Sequence, residues 1–147
     1  MKKSLIAFVV TFALSIGFTL MPLVALAELS VVLQSTMAES ILVNELISTS
    51  FSLVGLAVLF VVFYFLGNRG KILVTKSTII AVLLGAILGS VTPHLVSILA
   101  YNSHLEVYLS LIAGYAVSSV FVFFFPALTA LLFAELREKK SNNNLTI

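Results

Sequence analysis

Residues 77–100 read STIIAVLLGAILGSVTPHLVSILA, and the rest of the chain is organised around this stretch. It contains no Asp, Glu, Lys or Arg, and its length and apolar character predict a membrane span. Ser77, Ala81, Gly85, Gly89, Pro93 and Ser97 follow one another at a spacing of four, which on an α-helix places them on nearly one face. That face is a groove with almost no side chain in it. Gly85-Ala86-Ile87-Leu88-Gly89 is also a GxxxG pattern, which lets two membrane helices bring their backbones together. The stretch has no aromatic residue, whereas Phe60, Phe63 and Phe65 precede it and Phe121, Phe123, Phe124 and Phe125 follow it. The expected occupants of the groove are therefore Phe-rich helices of the same chain, at least as readily as a second copy.

Composition agrees with the membrane reading. Apolar types make up 61% of the 147 residues and charged types 10%, against about 45–50% and about 25% in an average soluble domain. A soluble domain this small leaves about a third of its surface exposed, and there is too little polar sequence to cover it. The expected fold is an all-α integral membrane protein: a small antiparallel bundle of three transmembrane helices plus an N-terminal signal peptide or fourth transmembrane helix. There is no cysteine, which excludes a disulfide framework and thiolate chemistry. The net charge is only +2, and no basic patch lies outside the membrane flanks, so nucleic acid is not an expected partner.

Outward from the central stretch, residues 1–27 begin Met1-Lys2-Lys3, continue with an apolar run, and end Ala25-Leu26-Ala27 before Glu28. This is the layout of a signal peptide cleaved after Ala27, and equally of a first membrane helix, since the apolar run exceeds a usual signal core. Residues 28–50 are more mixed and read as an extracytoplasmic segment, in which Asn44, Glu45, Ser48, Thr49 and Ser52 share a helical face leading into the next span. That span covers about 51–67 and closes at the turn Gly67-Asn68-Arg69-Gly70. A polar connection at 101–106 leads to the last span, about 107–134, with Ser110, Gly114 and Ser118 again at a spacing of four. Residues 135–147 read as a cytoplasmic tail, frayed helix and then disorder. Its Asn144-Leu145-Thr146 matches a glycosylation acceptor but falls on the cytoplasmic side.

Charge orients these spans. Lys2 and Lys3, then Arg69, Lys71 and Lys76, then Arg137, Lys139 and Lys140 flank alternate ends of four hydrophobic segments. All three clusters face the cytoplasm under the positive-inside rule. The C-terminus is then cytoplasmic, and residues 28–50 and 101–106 are extracytoplasmic. Tyr101 and Tyr108 fall at the outer headgroup level and Tyr64 at the inner one, where amphipathic rings are expected.

Few residues carry chemistry. His94 is a candidate polar site, because an ionisable group inside the membrane is a functional hypothesis by default; a neutral histidine bonded to a hydroxyl or carbonyl is the structural alternative. His94 with His104 and Glu106 would be a metal site only with three or four convergent ligands, and the three are not at a recognised ligand spacing. No catalytic residue, metal or cofactor is assigned. Pro93 and Pro126 are expected to kink their helices, freeing the carbonyls of Gly89 and Val122; Ser90, Thr92 or a neighbouring helix would then satisfy Gly89. Ser77, Ala81, Gly85, Gly89, Gly114 and Ser118 are the expected helix-packing residues. The expected function is a non-enzymatic subunit or assembly protein acting through helix–helix packing. Its expected partners are the lipid bilayer and either itself or another membrane protein. The alternative is a small transporter or channel formed by oligomerisation, which would need polar residues facing a shared pore.

Overall fold

The computed structural model describes the backbone of residues 2–33, 37–101 and 105–143, and the side chains of residues 2–21, 46–47, 49–96 and 112–141. The polar face at Asn44, Glu45 and Ser48, the outer tyrosines Tyr101 and Tyr108, the set His104 and Glu106, Ser97, Ser110 and the Asn144 acceptor lie outside the described side chains. The described backbone is all helical and contains no strand: α1 Lys2–Leu33, α2 Met37–Asn68, α3 Lys76–Tyr101, α4 Leu105–Ser119, a π-helical segment Val120–Phe124, and α5 Phe125–Asn143. Among the described residues four stretches are long and apolar enough to cross a bilayer: Lys2–Met21, Thr49–Asn68, Lys76–Val96 and Ile112–Ser141. This is a multi-pass helical membrane protein.

The turn between α2 and α3 follows from local chemistry. Gly70 adopts φ 63°, a left-handed conformation that costs glycine little. Lys71 N donates to Leu66 O at 3.0 Å and Gly70 N to Gly67 O at 2.9 Å, the paired bonds of a Schellman stop that satisfy the last carbonyls of α2. Thr75 then starts α3: its Oγ1 accepts from Thr78 N at 3.2 Å, as an N-cap hydroxyl does. Between the stop and the start, Ile72 is buried and tucks the turn under the bundle.

Helices pair in two parallel sets. α1 packs most extensively on α3, and α2 on α5. Ala7, Thr11 and Ser15 of α1, at a spacing of four, are fully buried. Ser4 and Ser77 bond at 2.9 Å, and the glycines of α3 then meet α1 in the same order outward, so the two helices run side by side in one direction. In the second pair Leu59 and Phe63 of α2 share the buried core with Ala127, Ala130 and Leu131 of α5. Ala134, one turn on, faces Gly67 of α2, where an added β-carbon would lie 2.8 Å from Ala134 Cβ. Phe63, Phe123 and Phe124 are buried, while Phe65, Phe121, Phe125 and Phe133 point outward among the exposed apolar side chains.

Three features differ from the sequence expectation. The first helix begins at Lys2 and runs past residue 27, the expected end of the first segment, to Leu33. α5 runs on through Glu135 to Asn143 where fraying was expected; Lys139 Nζ lies 3.0 Å from the Glu135 carboxylate, an i,i+4 pair in the favourable order. The last span, finally, widens before its proline. Phe125 N donates to Val120 O, five residues back, closing the π turn Val120–Phe124. Pro126 can neither bond to Val122 O nor tolerate its close approach, and the extra residue in the preceding turn accommodates both constraints. The insertion also rotates α4 relative to α5, so the Gly114–Ser118 stripe does not continue into the buried face of α5.

Candidate functional site

The seam between α1 and α3 is where the small residues act. A β-carbon placed on Gly85 would lie 2.8 Å from Phe8 O and 3.0 Å from Thr11 Cβ; one on Gly89 would lie 2.7 Å from Phe12 O and 2.7 Å from Ser15 Cβ. Both glycines therefore touch the backbone of α1. Sequence reasoning expected Phe-rich neighbours from α2 and the last span to fill this groove. The occupant is α1, and it makes contact through its main chain although Phe8 and Phe12 are the residues involved. The signal was present in the sequence as Ala7-x-x-x-Thr11-x-x-x-Ser15, a second small-residue face matching the first.

The remaining packing residues are distributed differently. Ser77 joins the inner end of the seam through Ser4, and also bonds Thr75 Oγ1 at 3.0 Å. Ala81 is half-buried, between that end and the glycines. Gly114 has nothing within 4 Å of the position a β-carbon would take, and Ser118 is exposed, with its Oγ donating to Tyr115 O at 3.1 Å. The structure thus brings Ser77, Ala81, Gly85 and Gly89 together against α1 and leaves Gly114 and Ser118 on an open face of α4.

Hydroxyls near the prolines turn back on their own helices. Pro93 is buried. Ser90 Oγ donates to Ile87 O at 3.2 Å and Thr92 Oγ1 to Leu88 O at 2.6 Å, so both hydroxyls bond carbonyls other than that of Gly89, the expected acceptor. Thr11, Thr19 and Ser119 likewise donate to Ala7, Ser15 and Ala116 carbonyls. Such bonds let a hydroxyl sit in an apolar layer without a partner from another helix.

His94 stacks on Tyr115 of α4, ring centroids 3.7 Å apart and planes within 9°. Its Nε2 is buried without a hydrogen-bond partner, as is Ser15 Oγ. Among the described residues no three His, Cys, Asp or Glu side chains come together in a metal-binding group. His94 joins α3 to α4 by ring stacking, a contact that the sequence spacing did not signal.

Basic residues collect at one end of the bundle. Lys3 Nζ donates to Gly70 O at 2.9 Å, and Arg137 Nη1 donates to Tyr64 Oη at 2.5 Å. The first bond ties the start of α1 to the α2–α3 turn, the second ties α5 to α2, and together they bring the three basic clusters of the sequence to a common level. Compared with known proteins, the chain matches no family model, no curated relative and no solved structure.

Proposed function

We propose that this protein is a non-enzymatic membrane subunit or assembly factor, that its residues 1–27 are retained as the first of four spans, and that it works by presenting helix faces to a partner. The observation that supports this reading is the α1–α3 seam. Gly85 and Gly89 are already filled by Phe8, Thr11, Phe12 and Ser15, so the packing residues of α3 hold the chain to itself and association falls to another face. The face left open is that of α4 and the π turn after it, where Gly114 meets nothing and Val117 and Phe121 are exposed. The oligomeric-transporter alternative needs a line of free polar groups, whereas the hydroxyls of Thr11, Thr19, Ser90, Thr92, Ser118 and Ser119 are bonded to carbonyls of their own helices, which leaves Ser15 Oγ and His94 Nε2 as the unpartnered buried polar atoms among the described residues.

Sizing of the detergent-extracted protein together with co-purifying chains tests the proposal. Wild type is expected to run as a complex that Gly114→Leu and Ser118→Leu weaken. A wild-type chain that is monomeric and alone would sink the reading. Ion flux through liposomes that His94→Ala abolishes would favour the transporter instead.

Orientation belongs to the same proposal. The common level of the Lys3, Arg69, Lys71 and Arg137 clusters supports a cytoplasmic N-terminus, α2–α3 turn and C-terminus, with 28–50 and 101–106 outside. Reporter fusions after residue 70 and at the C-terminus are expected to read cytoplasmic, and an insertion at residues 34–36 extracytoplasmic. A reporter after residue 70 that reads outside overturns this orientation.

A further inference from the structure

Two recesses adjoin along the α1–α3 seam, sharing Ser4 and Ser77. The first, about 350 Å³, lies at the basic end and is lined by Lys2, Lys3, Thr75 and Thr78 beside those serines. The second, about 380 Å³, continues deeper as a groove lined by Leu5, Phe8, Ile80, Ala81 and Leu84. We propose that the pair is a single binding site for an anionic phospholipid, its phosphate held by Lys2 and Lys3 and the upper part of an acyl chain lying in the apolar groove.

The order of polarity along the site matches that of a lipid. Lysine ammoniums and hydroxyls come first, where Lys2–Met21 and Lys76–Val96 enter the apolar layer. Five apolar side chains follow. Ser77 and Leu84 are seven residues apart, about 10 Å along the helix, which is the depth of the first several methylenes. Leu5, Ile80 and Leu84 are exposed, so the groove opens toward lipid and a chain can enter it sideways. Ala81 makes the space: α1 and α3 are drawn together at Gly85 and Gly89, while a methyl one turn earlier leaves the outer edge of the seam unfilled.

Charge at the mouth selects the headgroup. Lys3 uses one donor on Gly70 O, which leaves two N–H groups for a phosphate. Among the described residues the ion pair Lys139–Glu135 is on α5, and no carboxylate neutralises Lys2, Lys3, Arg69, Lys71 or Lys76. A zwitterionic lipid would bring its own cation into this field, whereas an anionic one brings net negative charge. In the orientation proposed above, the basic end faces the leaflet in which anionic lipids attract such clusters. A free phosphate would satisfy the lysines but leave the apolar groove to lipid, so the full site fits the amphiphile. This inference rests on residues 1–27 being retained.

Native mass spectrometry of the full chain, released from nanodiscs of equal phosphatidylglycerol and phosphatidylcholine, reads both points in one spectrum. The expected result is a mass that includes residues 1–27 with bound phosphatidylglycerol in excess over phosphatidylcholine. Lys2→Gln with Lys3→Gln is expected to reduce that excess by about thirtyfold, at about 1 kcal/mol of attraction lost for each lysine near a charged surface. Lys2→Arg with Lys3→Arg should keep it. Ala81→Leu, which fills the groove, should lower retention of both lipids without changing their ratio. Short-chain phosphatidylglycerol should compete and inorganic phosphate should not. A mass lacking residues 1–27 overturns the retained helix and the site with it. Full mass with equal retention of the two lipids, an excess that survives the glutamine variant, or competition by inorganic phosphate alone overturns the lipid site while leaving the four-span reading intact.

Discussion

A chain beginning at Glu28 is expected to fail to accumulate in membranes, or to accumulate as a protease-sensitive species. Without α1, Gly85 and Gly89 of α3 face lipid across a surface that now meets the backbone of Phe8 and Phe12 at van der Waals distance. Lipid chains are as apolar as the side chains lost, so the deficit is in close packing rather than in hydrophobic burial. The contacts made by the buried Ala7, Thr11 and Ser15 would be lost with the helix that carries them. Co-expression of residues 1–33 as a separate peptide should restore accumulation, because membrane helices insert independently before they associate. Protease protection and yield in membranes are the measurements. A stable, protected chain starting at Glu28 would instead support cleavage after Ala27, and α1 would then act only during insertion.

The second large effect is expected at Gly89. Gly89→Ala places a methyl 2.7 Å from Phe12 O and from Ser15 Cβ. The obstacle is main chain on one side and the root of a side chain on the other, so a rotamer change cannot relieve it and the helices must separate. Overpacking of this kind costs about 1–3 kcal/mol, and Gly89→Leu should exceed that and prevent the α1 peptide from rescuing a chain that starts at Glu28. Gly85→Ala, at 2.8 Å from Phe8 O, should behave similarly. Gly114→Ala is the control, since nothing lies within 4 Å of its added carbon, and it should leave the folding of the isolated chain unchanged. Unfolding in mixed micelles reports all of these. Equal stability of Gly89→Ala and Gly114→Ala would show that the seam is looser than the 2.7 Å contacts require.

These two expectations change the meaning of a GxxxG reading. The pattern alone states that two backbones can approach. It does not say whose. Here Ala7, Thr11 and Ser15 repeat the small-residue spacing inside a stretch that also satisfies the layout of a signal peptide. The same residues serve both readings because export signals and packed spans share an apolar core with small side chains. What separates them is the partner surface, which lies 74 residues away in the chain for both Thr11–Gly85 and Ser15–Gly89.

The spans, the all-helical class and the distribution of basic residues were legible from sequence because each depends on local composition. An apolar run of about twenty residues must satisfy its backbone internally, and lysines mark its ends whatever it packs against. The turn at Gly67–Gly70 was legible for the same reason, since a left-handed glycine stop is a local event. Helix pairing was not local. Phenylalanines on either side of a slender α3 suggested that they would fill its groove, yet Leu59 and Phe63 share the core with Ala127 and Ala130 of α5, and α1 takes the glycine face. Nor could spacing anticipate the π turn at Val120–Phe124, which shifts the phase of every later residue and leaves Gly114 and Ser118 outside the core. Sequence by itself determined that the chain forms membrane helices and that α2 stops at the Gly67–Gly70 turn. Tertiary structure alone decided which helix fills the glycine face of α3, because close packing depends on the match of two surfaces and a periodic pattern describes only one of them.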